Sequence, residues 1–289
     1  KNGWDEVRRR FECGETSGPE TIYAHAYLID QLIRLIHEFV LNNVYPTTNP
    51  TKGEQMAVLA TGGYGRGELA PFSDVDLMFL LPYKLTPHSE QVVEYILYSL
   101  WDLGLKVGHA TRSLDEALRL AESDLTIQTS LLDARWLWGN QNLFKEFQAR
   151  FCRELIVGSG TKFVEGKLAE RDQRHDRMGD TRYVLEPNLK DGKGGLRDLQ
   201  TLFWIGKYLY QTSSAKDLKD VGFLTNVEVR SFGKAENFLW TVRCHLHYLA
   251  GRPEDRLTFH VQEELGQRMG YKARAGASGV ERFMKHYFL

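Results

Sequence analysis

The chain has 289 residues, of which 42% are hydrophobic, 12% aromatic and 26% charged, a balance that excludes a mainly disordered protein. Lysine and arginine number 37 against 38 for aspartate and glutamate, so no net basic charge recruits nucleic acid, and an anionic substrate must be bound locally. No apolar run reaches the roughly 18 residues of a membrane span. Three distant cysteines argue against a disulfide framework. Together these features predict a cytoplasmic protein without nucleic-acid or membrane partners.

The first half of the chain alternates between helical and strand patterns. In chain order we predict a helix over 20–42, strands over 56–61 and 75–81, a helix over 89–103, a strand over 105–110 and a helix over 113–122. Ser113 and Glu116 have the spacing of a capping box for the last of these helices. Alternating strands and helices indicate an α/β lobe, with a glycine-rich turn between its first two strands.

From about residue 142 the remaining segments are helical in period or propensity, apart from a polar, glycine-rich loop over 183–195. We therefore predict an N-terminal helical segment at 1–49, an α/β domain at 50–140 and a helical domain at 141–289. The predicted fold class is α+β, in which an α/β lobe with a mixed sheet adjoins a mostly α-helical lobe.

The glycine-rich turn and the strand after it form the most informative pattern. Gly62 and Gly63 close the first strand, where glycine lets backbone N–H groups approach a phosphate closely. Asp74 and Asp76 lie two residues apart at the start of the next strand, so their carboxylates point to the same side. Mg²⁺ is the cation expected to stabilise such a pair, because it prefers oxygen ligands and substrate phosphates. The alternative for either motif alone is a simple loop or solvated strand-end acids.

The segment GGYGRGELAPFSDVDL resembles the nucleotidyltransferase superfamily shared with DNA polymerase beta. Two further segments, EPNLKDGKGGLRDLQTLFW and FLWTVRCHLHYLAGRPEDRLTFHVQEELGQRMGY, are similar to the amino-terminal half of the bacterial PII uridylyltransferase/uridylyl-removing family. The resemblance implies that the domain at 50–140 is the nucleotidyltransferase domain. It also implies that the family's metal-dependent hydrolase domain and two glutamine-sensing domains lie outside this sequence.

The superfamily requires a third carboxylate, and the resemblance makes Asp133 the first candidate for this metal ligand. The alternatives are that Asp133 pairs with Arg135 or caps a helix, and that His109 takes the third place. With Asp133, the carboxylates Asp74 and Asp76 would hold two Mg²⁺ ions, with Mn²⁺ as a possible substitute, for in-line attack on the α-phosphate.

Four further residues are predicted to bind the nucleotide. Arg66 has the bidentate geometry for triphosphate oxygens, although a surface salt bridge is the alternative. Ser73 could bond a phosphate or cap the strand. Lys190 and Arg197 flank a glycine-rich helix start, another arrangement that binds anions, and Asp198 could orient Arg197. As bare composition, this last segment is more often a solvated loop.

By resemblance, the reaction is transfer of UMP from UTP to a tyrosine of the PII signalling protein, with release of pyrophosphate. One alternative is adenylylation of glutamine synthetase, because the corresponding adenylyltransferases share these motifs. Another is a nucleotide-sensing module without turnover, against which the intact carboxylate pair argues. The His175-Asp176 pair imitates a phosphohydrolase dyad, but adjacent residues on a helix diverge by about 100°, so we do not expect a hydrolase site there.

Overall fold

The computed structural model describes residues 2–47, 51–179, 181, 183–212, 215–274 and 276–289. The predicted boundary between the N-terminal segment and the second domain, at 49–50, lies outside these residues. All three cysteines are free. Within the described part of the chain, no helix combines the length and apolar character needed to cross a membrane.

Four strands and thirteen helices are described along these ranges. The strands are β1 (Ala57–Ala60), β2 (Val75–Leu81), β3 (Val107–Ser113) and β4 (Arg135–Gly139). The helices are α1 (Asn2–Glu12), α2 (Gly18–Phe39), α3 (Gly62–Gly65), α4 (Pro87–Asp102), α5 (Leu114–Ser123), α6 (Leu125–Leu132), α7 (Gln141–Phe151), α8 (Gly160–Arg177), α9 (Leu196–Tyr210), α10 (Ala215–Asp220), α11 (Asn226–Ala250), α12 (Phe259–Arg268) and α13 (Gly279–Phe288). Short π-helical turns extend α2 over Val40–Val44 and α7 over Cys152–Ile156, and Lys52–Glu54 forms a 3₁₀ turn.

The strands form one mixed sheet in the order β3-β2-β1-β4. Strand β1 runs antiparallel to both β2 and β4, whereas β2 and β3 are parallel. The α4 crossover separates β2 from β3, as a parallel pair requires. The predicted α+β class, with a mixed sheet and a mostly helical second lobe, is confirmed.

Local sequence explains several of the element bounds. Strand β2 begins and ends where its apolar run predicts, because the VDLMFLL sequence is buried at every position except Asp76. Helix α2 begins at Gly18 because Ser17 and Glu20 form a capping box. Ser113 ends β3 and also caps α5, since its hydroxyl accepts from the Glu116 backbone N–H at 3.3 Å. The predicted strand at 105–110 therefore begins and ends later.

Helix α2 packs against both lobes. Its Ile29 and Ile33 lie in the core between β2, β1 and α4, whereas its Ile22 belongs to the core of α11 and α12. At the start of α2, a Cβ on Gly18 would lie 2.3 Å from the Thr241 backbone nitrogen, so glycine permits α2 to cross α11 closely. Helix α2, which lies in the N-terminal segment predicted from sequence, thus contributes to the hydrophobic cores of both lobes.

Candidate active site

The Asp76 carboxylate lies between two glycines. Asp76 is opposite Gly108 in the β2–β3 register, and a Cβ on Gly108 would lie 2.6 Å from Asp76 Oδ1. On the other side, a Cβ on Gly62 would lie 3.4 Å from Asp76 Oδ2. These glycines leave the carboxylate accessible at the end of the sheet where β2 begins. Asp74 directly precedes β2 and lines the same cavity, as the sequence predicts.

Gly62 and Gly63 begin α3, a single helical turn that follows β1 after Thr61. Gly62 has φ +56°, a conformation that strains residues with a Cβ, so this turn requires glycine. Its ideal Cβ position is also 3.9 Å from the Ser130 hydroxyl oxygen on α6. The turn therefore brings backbone, carboxylate and hydroxyl groups together around one small space.

The negative charge of the carboxylate pair is only partly compensated. Partial burial raises the pKa of Asp76, the charge of Asp74 raises it further, and the Lys190 ammonium opposes both effects. A cation between the two carboxylates would remove this repulsion.

A cavity of about 660 Å³ opens in front of these groups. The sheet edge and α6 form one wall, and α8, the start of α9 and the loop before it form the other. Its lining is densely charged. The cations are Arg66, Lys167, Arg174, Arg177, Lys190, Arg197 and Arg243, and the acids are Glu68, Asp74, Asp76, Asp133, Glu170, Asp191 and Asp255.

Lys190 and Arg197 face the carboxylate pair from the helical lobe. Burial lowers the pKa of Lys190, and the nearby charges of Arg243 and Arg197 lower it further. Burial also lowers the pKa of Arg197, which lies 3.6 Å from Asp191 and donates to Gln200. An anionic ligand would relieve the repulsion among these cations. Both residues line the cavity, where they remain predicted phosphate ligands.

Asp133 has a different environment from the pair. Its side chain is fully buried, and its Oδ2 accepts from Arg66 Nη1 at 2.6 Å and from Trp204 Nε1 at 2.7 Å. Lys207 Nζ lies 3.1 Å from its other oxygen. This arrangement joins the lobe that contains the sheet to α9 and favours a structural role for Asp133.

Asp133 is the C-cap residue of α6, in agreement with one alternative, whereas the residues of the other two alternatives have other locations. Arg135 pairs with Asp30 at 2.7 Å, so it is not the partner of Asp133. His109 lies opposite Leu77 and therefore on the other face of the sheet from Asp76, where it contacts the Trp101 ring.

Arg66 and Ser73 also line the cavity. The Arg66 guanidinium is almost completely buried and is already paired with Glu68 at 2.7 Å and with Asp133. Its predicted phosphate contact would have to compete with both carboxylates. Ser73 lies beside Asp74, in a turn where its backbone N–H donates to Ala70 at 3.1 Å.

Asp198 does not orient Arg197. Its carboxylate instead pairs with Arg174 and His175 of α8 and accepts from the Gly194 backbone N–H at 2.7 Å. His175 is thereby part of the contact between α8 and α9. Among the described residues, no group of three or more His, Cys, Asp and Glu side chains could hold a metal ion, His175-Asp176 included.

Sequence reasoning missed the contribution of α8. Lys167, Glu170, Arg174 and Arg177 all line the cavity, and their spacing of three, four and three residues places them on one helix face. That spacing is a signal that the sequence of this helix already contains. Arg243 and Asp255 also line the cavity and form an ion pair at 2.6 Å, but nothing local in the sequence connects them to the site.

The fold and this cavity define a two-lobed protein in which a strand-end carboxylate pair faces a cationic helical lobe, a class of site suited to an anionic ligand with an associated cation. A family model described as GlnD PII-uridylyltransferase matches residues 162–289. The chain is 59% identical over 288 residues to the bifunctional uridylyltransferase/uridylyl-removing enzyme of Azospirillum brasilense and, equally, to that of Rhodospirillum rubrum. Identity to the enzyme of the same name from Novosphingobium aromaticivorans is 54%.

Each match covers the whole of this chain but only 31% to 32% of the relative. The chain is therefore similar along its whole length to these uridylyltransferase/uridylyl-removing enzymes, and it spans about a third of their length.

Proposed function

We propose that this chain carries the uridylyl-transfer site of its family, which moves UMP from UTP to a tyrosine of a PII protein and releases pyrophosphate, with Mg²⁺ as the cofactor. One observation carries the proposal. The Asp74 and Asp76 carboxylates and Lys190 line a single cavity, so groups able to bind a cation and a group able to bind phosphate share one space. The relatives' name supports UTP over ATP.

The donor set fits Mg²⁺ bound together with a nucleotide. Mg²⁺ commonly takes one or two protein carboxylates and completes its coordination with water and substrate phosphates. Asp74 and Asp76 supply two carboxylates, and the raised pKa of Asp76 reflects a charge that a cation would offset. Because the described residues offer no cluster of three ligands, we expect the metal to bind weakly without nucleotide. When bound, it would supply charge neutralisation to the reacting phosphates.

The protein's own groups have separable tasks in this proposal. Asp74 and Asp76 hold the cation at the sheet edge, and the Gly62 turn leaves room for phosphate beside them. Lys190 and Arg197 bind phosphate oxygens from the helical lobe and stabilise the negative charge that develops in the transition state. Asp133 is excluded from our proposed metal ligands, because its oxygens already accept from three donors.

The test is transfer of label to an acceptor protein. Purified protein is incubated with Mg²⁺, a PII protein and UTP labelled at the α-phosphate, and labelled acceptor and pyrophosphate are both measured. Parallel reactions use labelled ATP, or glutamine synthetase as acceptor, and an Asp76→Asn variant is the control for each. We expect label on PII from UTP alone. Label on glutamine synthetase from ATP would establish the adenylyltransferase alternative, and nucleotide binding without pyrophosphate release would establish the sensing module.

A further inference from the structure

The turn that leads into the carboxylate pair is held from α11. Phe72, two residues before Asp74, has φ +62°, a conformation that L-residues with a Cβ rarely adopt. Such a backbone persists only when its surroundings impose it. The Phe72 ring packs edge-on against Tyr248, with 6.3 Å between ring centroids, so contacts with α11 help to impose it.

His247, the residue before Tyr248, makes the polar part of this contact. Its side chain is fully buried, and its Nδ1 lies 2.6 Å from the Pro71 carbonyl oxygen. Because a carbonyl can only accept, Nδ1 must carry the hydrogen and donate it. Pro71 is three residues before Asp74, so this bond fixes the backbone immediately ahead of the carboxylate pair.

The other ring nitrogen of His247 faces Asp255, which lines the cavity. Its Nε2 lies 3.4 Å from Asp255 Oδ1, which also accepts from Arg243 Nε at 2.6 Å. The Asp255 backbone carbonyl accepts from the Leu189 N–H at 2.7 Å, directly before Lys190. One imidazole therefore joins the turn that carries Asp74 to the segment that positions Lys190.

Resting on the proposed function, we infer that His247 is a positioning residue for nucleotidyl transfer, which holds the Asp74 turn through its Nδ1 bond to Pro71. It touches neither metal nor nucleotide. Loss of such a supporting contact typically lowers metal affinity or activity about 10- to 100-fold. The effect should appear mainly in the Mg²⁺ concentration required for half-maximal rate, because the metal ligands themselves remain.

Two amide substitutions separate the ends of the imidazole. In His247→Asn the amide nitrogen can take the place of Nδ1 and still donate to Pro71, whereas in His247→Gln it reaches toward Asp255 instead. His245→Asn is the matched control. His245 is buried two residues earlier on α11, packs against Phe11, and has an Nδ1 without a hydrogen-bond partner.

The experiment measures transfer rates against Mg²⁺ concentration, Mn²⁺ binding by electron paramagnetic resonance with a non-hydrolysable UTP analogue, and hydrogen exchange of peptides covering 70–76. We expect His247→Gln to weaken Mn²⁺ binding about 10- to 100-fold and to speed exchange in this peptide, whereas His247→Asn and His245→Asn stay near wild type.

Equal behaviour of the Asn and Gln variants at His247 would overturn the inference, and so would unchanged exchange and Mn²⁺ binding in His247→Gln. If the Gln variant does not fold, Asp255→Asn provides a second comparison. Because it changes only the side chain beside Nε2 and keeps the Nδ1 bond to Pro71, it should leave exchange over 70–76 unchanged, and faster exchange there would overturn the inference. A wild-type protein without transfer activity would refute only the proposed function, because metal binding and exchange still decide the role of His247.

Discussion

Replacement of Asp133 by Asn separates the two interpretations of this carboxylate. If the carboxylate is structural, its loss should mainly lower the stability of the folded protein. If it is a metal ligand, its loss should mainly lower the turnover rate. The structure supports the first, because the buried carboxylate accepts from Arg66, Trp204 and Lys207 at 2.6, 2.7 and 3.1 Å. The Asn side chain keeps the shape of Asp, but it removes the negative charge and replaces one acceptor oxygen with an NH₂ donor.

The expected loss of stability follows from the neighbours. Breaking a buried ion pair by removing one partner costs about 3 to 5 kcal/mol, mostly because a charge is left uncompensated. Arg66 keeps its bond to Glu68 at 2.7 Å, and Lys207 is partly exposed, so both can recover some stabilisation. We therefore expect a loss near 3 kcal/mol, which corresponds to a fall in Tm of roughly 6 to 12 °C for a chain of this size.

Thermal unfolding without metal or nucleotide measures this loss, and Asp74→Asn is the control. Asp74 is exposed, so its replacement should change stability by no more than about 0.5 kcal/mol. The reasoning is refuted if Asp133→Asn unfolds within about 2 °C of wild type while its turnover falls more than about a hundredfold. That result would restore Asp133 as a catalytic carboxylate.

Three further predictions concern the cavity. Partial burial and the charge of Asp74 raise the pKa of Asp76, so the ionised carboxylate destabilises the folded state once the pH rises above the usual pKa of an aspartate. Asp76→Asn should therefore raise Tm at neutral pH without metal. A lower Tm would contradict the repulsion. Arg197→Ala should weaken UTP binding about 10- to 100-fold by calorimetry, the scale of a charge-assisted contact, and unchanged affinity would exclude that contact. Gly108→Ala should displace the Asp76 carboxylate, 2.6 Å from the new methyl position, and lower turnover at unchanged Tm; full activity would show that the carboxylate adapts freely.

Local patterns predicted the parts of the site that lie close together in sequence. The strand at 75–81 follows from its apolar run, and the convergence of Asp74 and Asp76 follows from their spacing. The short helix α6 escaped prediction, because its eight residues have little helical periodicity, although Asp124 caps it by accepting from two backbone N–H groups.

Contacts between the lobes could not be predicted in the same way. Asp133 bonds to Arg66 and Trp204, which are 67 and 71 residues away along the sequence, and no periodicity encodes these pairings. Asp133 precedes an apolar strand and resembles a superfamily ligand, so sequence alone favoured the metal interpretation. Its surroundings depend on how α9 packs against the first lobe, which only the assembled fold reveals.

The most direct test of the account is label transfer from α-labelled UTP to a PII protein by wild type and by Asp76→Asn, measured side by side with Mg²⁺. We expect labelled PII and an equal amount of pyrophosphate from the wild type. In the variant we expect a rate at least about a hundredfold lower, because a major electrostatic stabiliser is lost. Near-normal transfer by Asp76→Asn at saturating Mg²⁺ would contradict the central claim that this carboxylate pair is the transfer site.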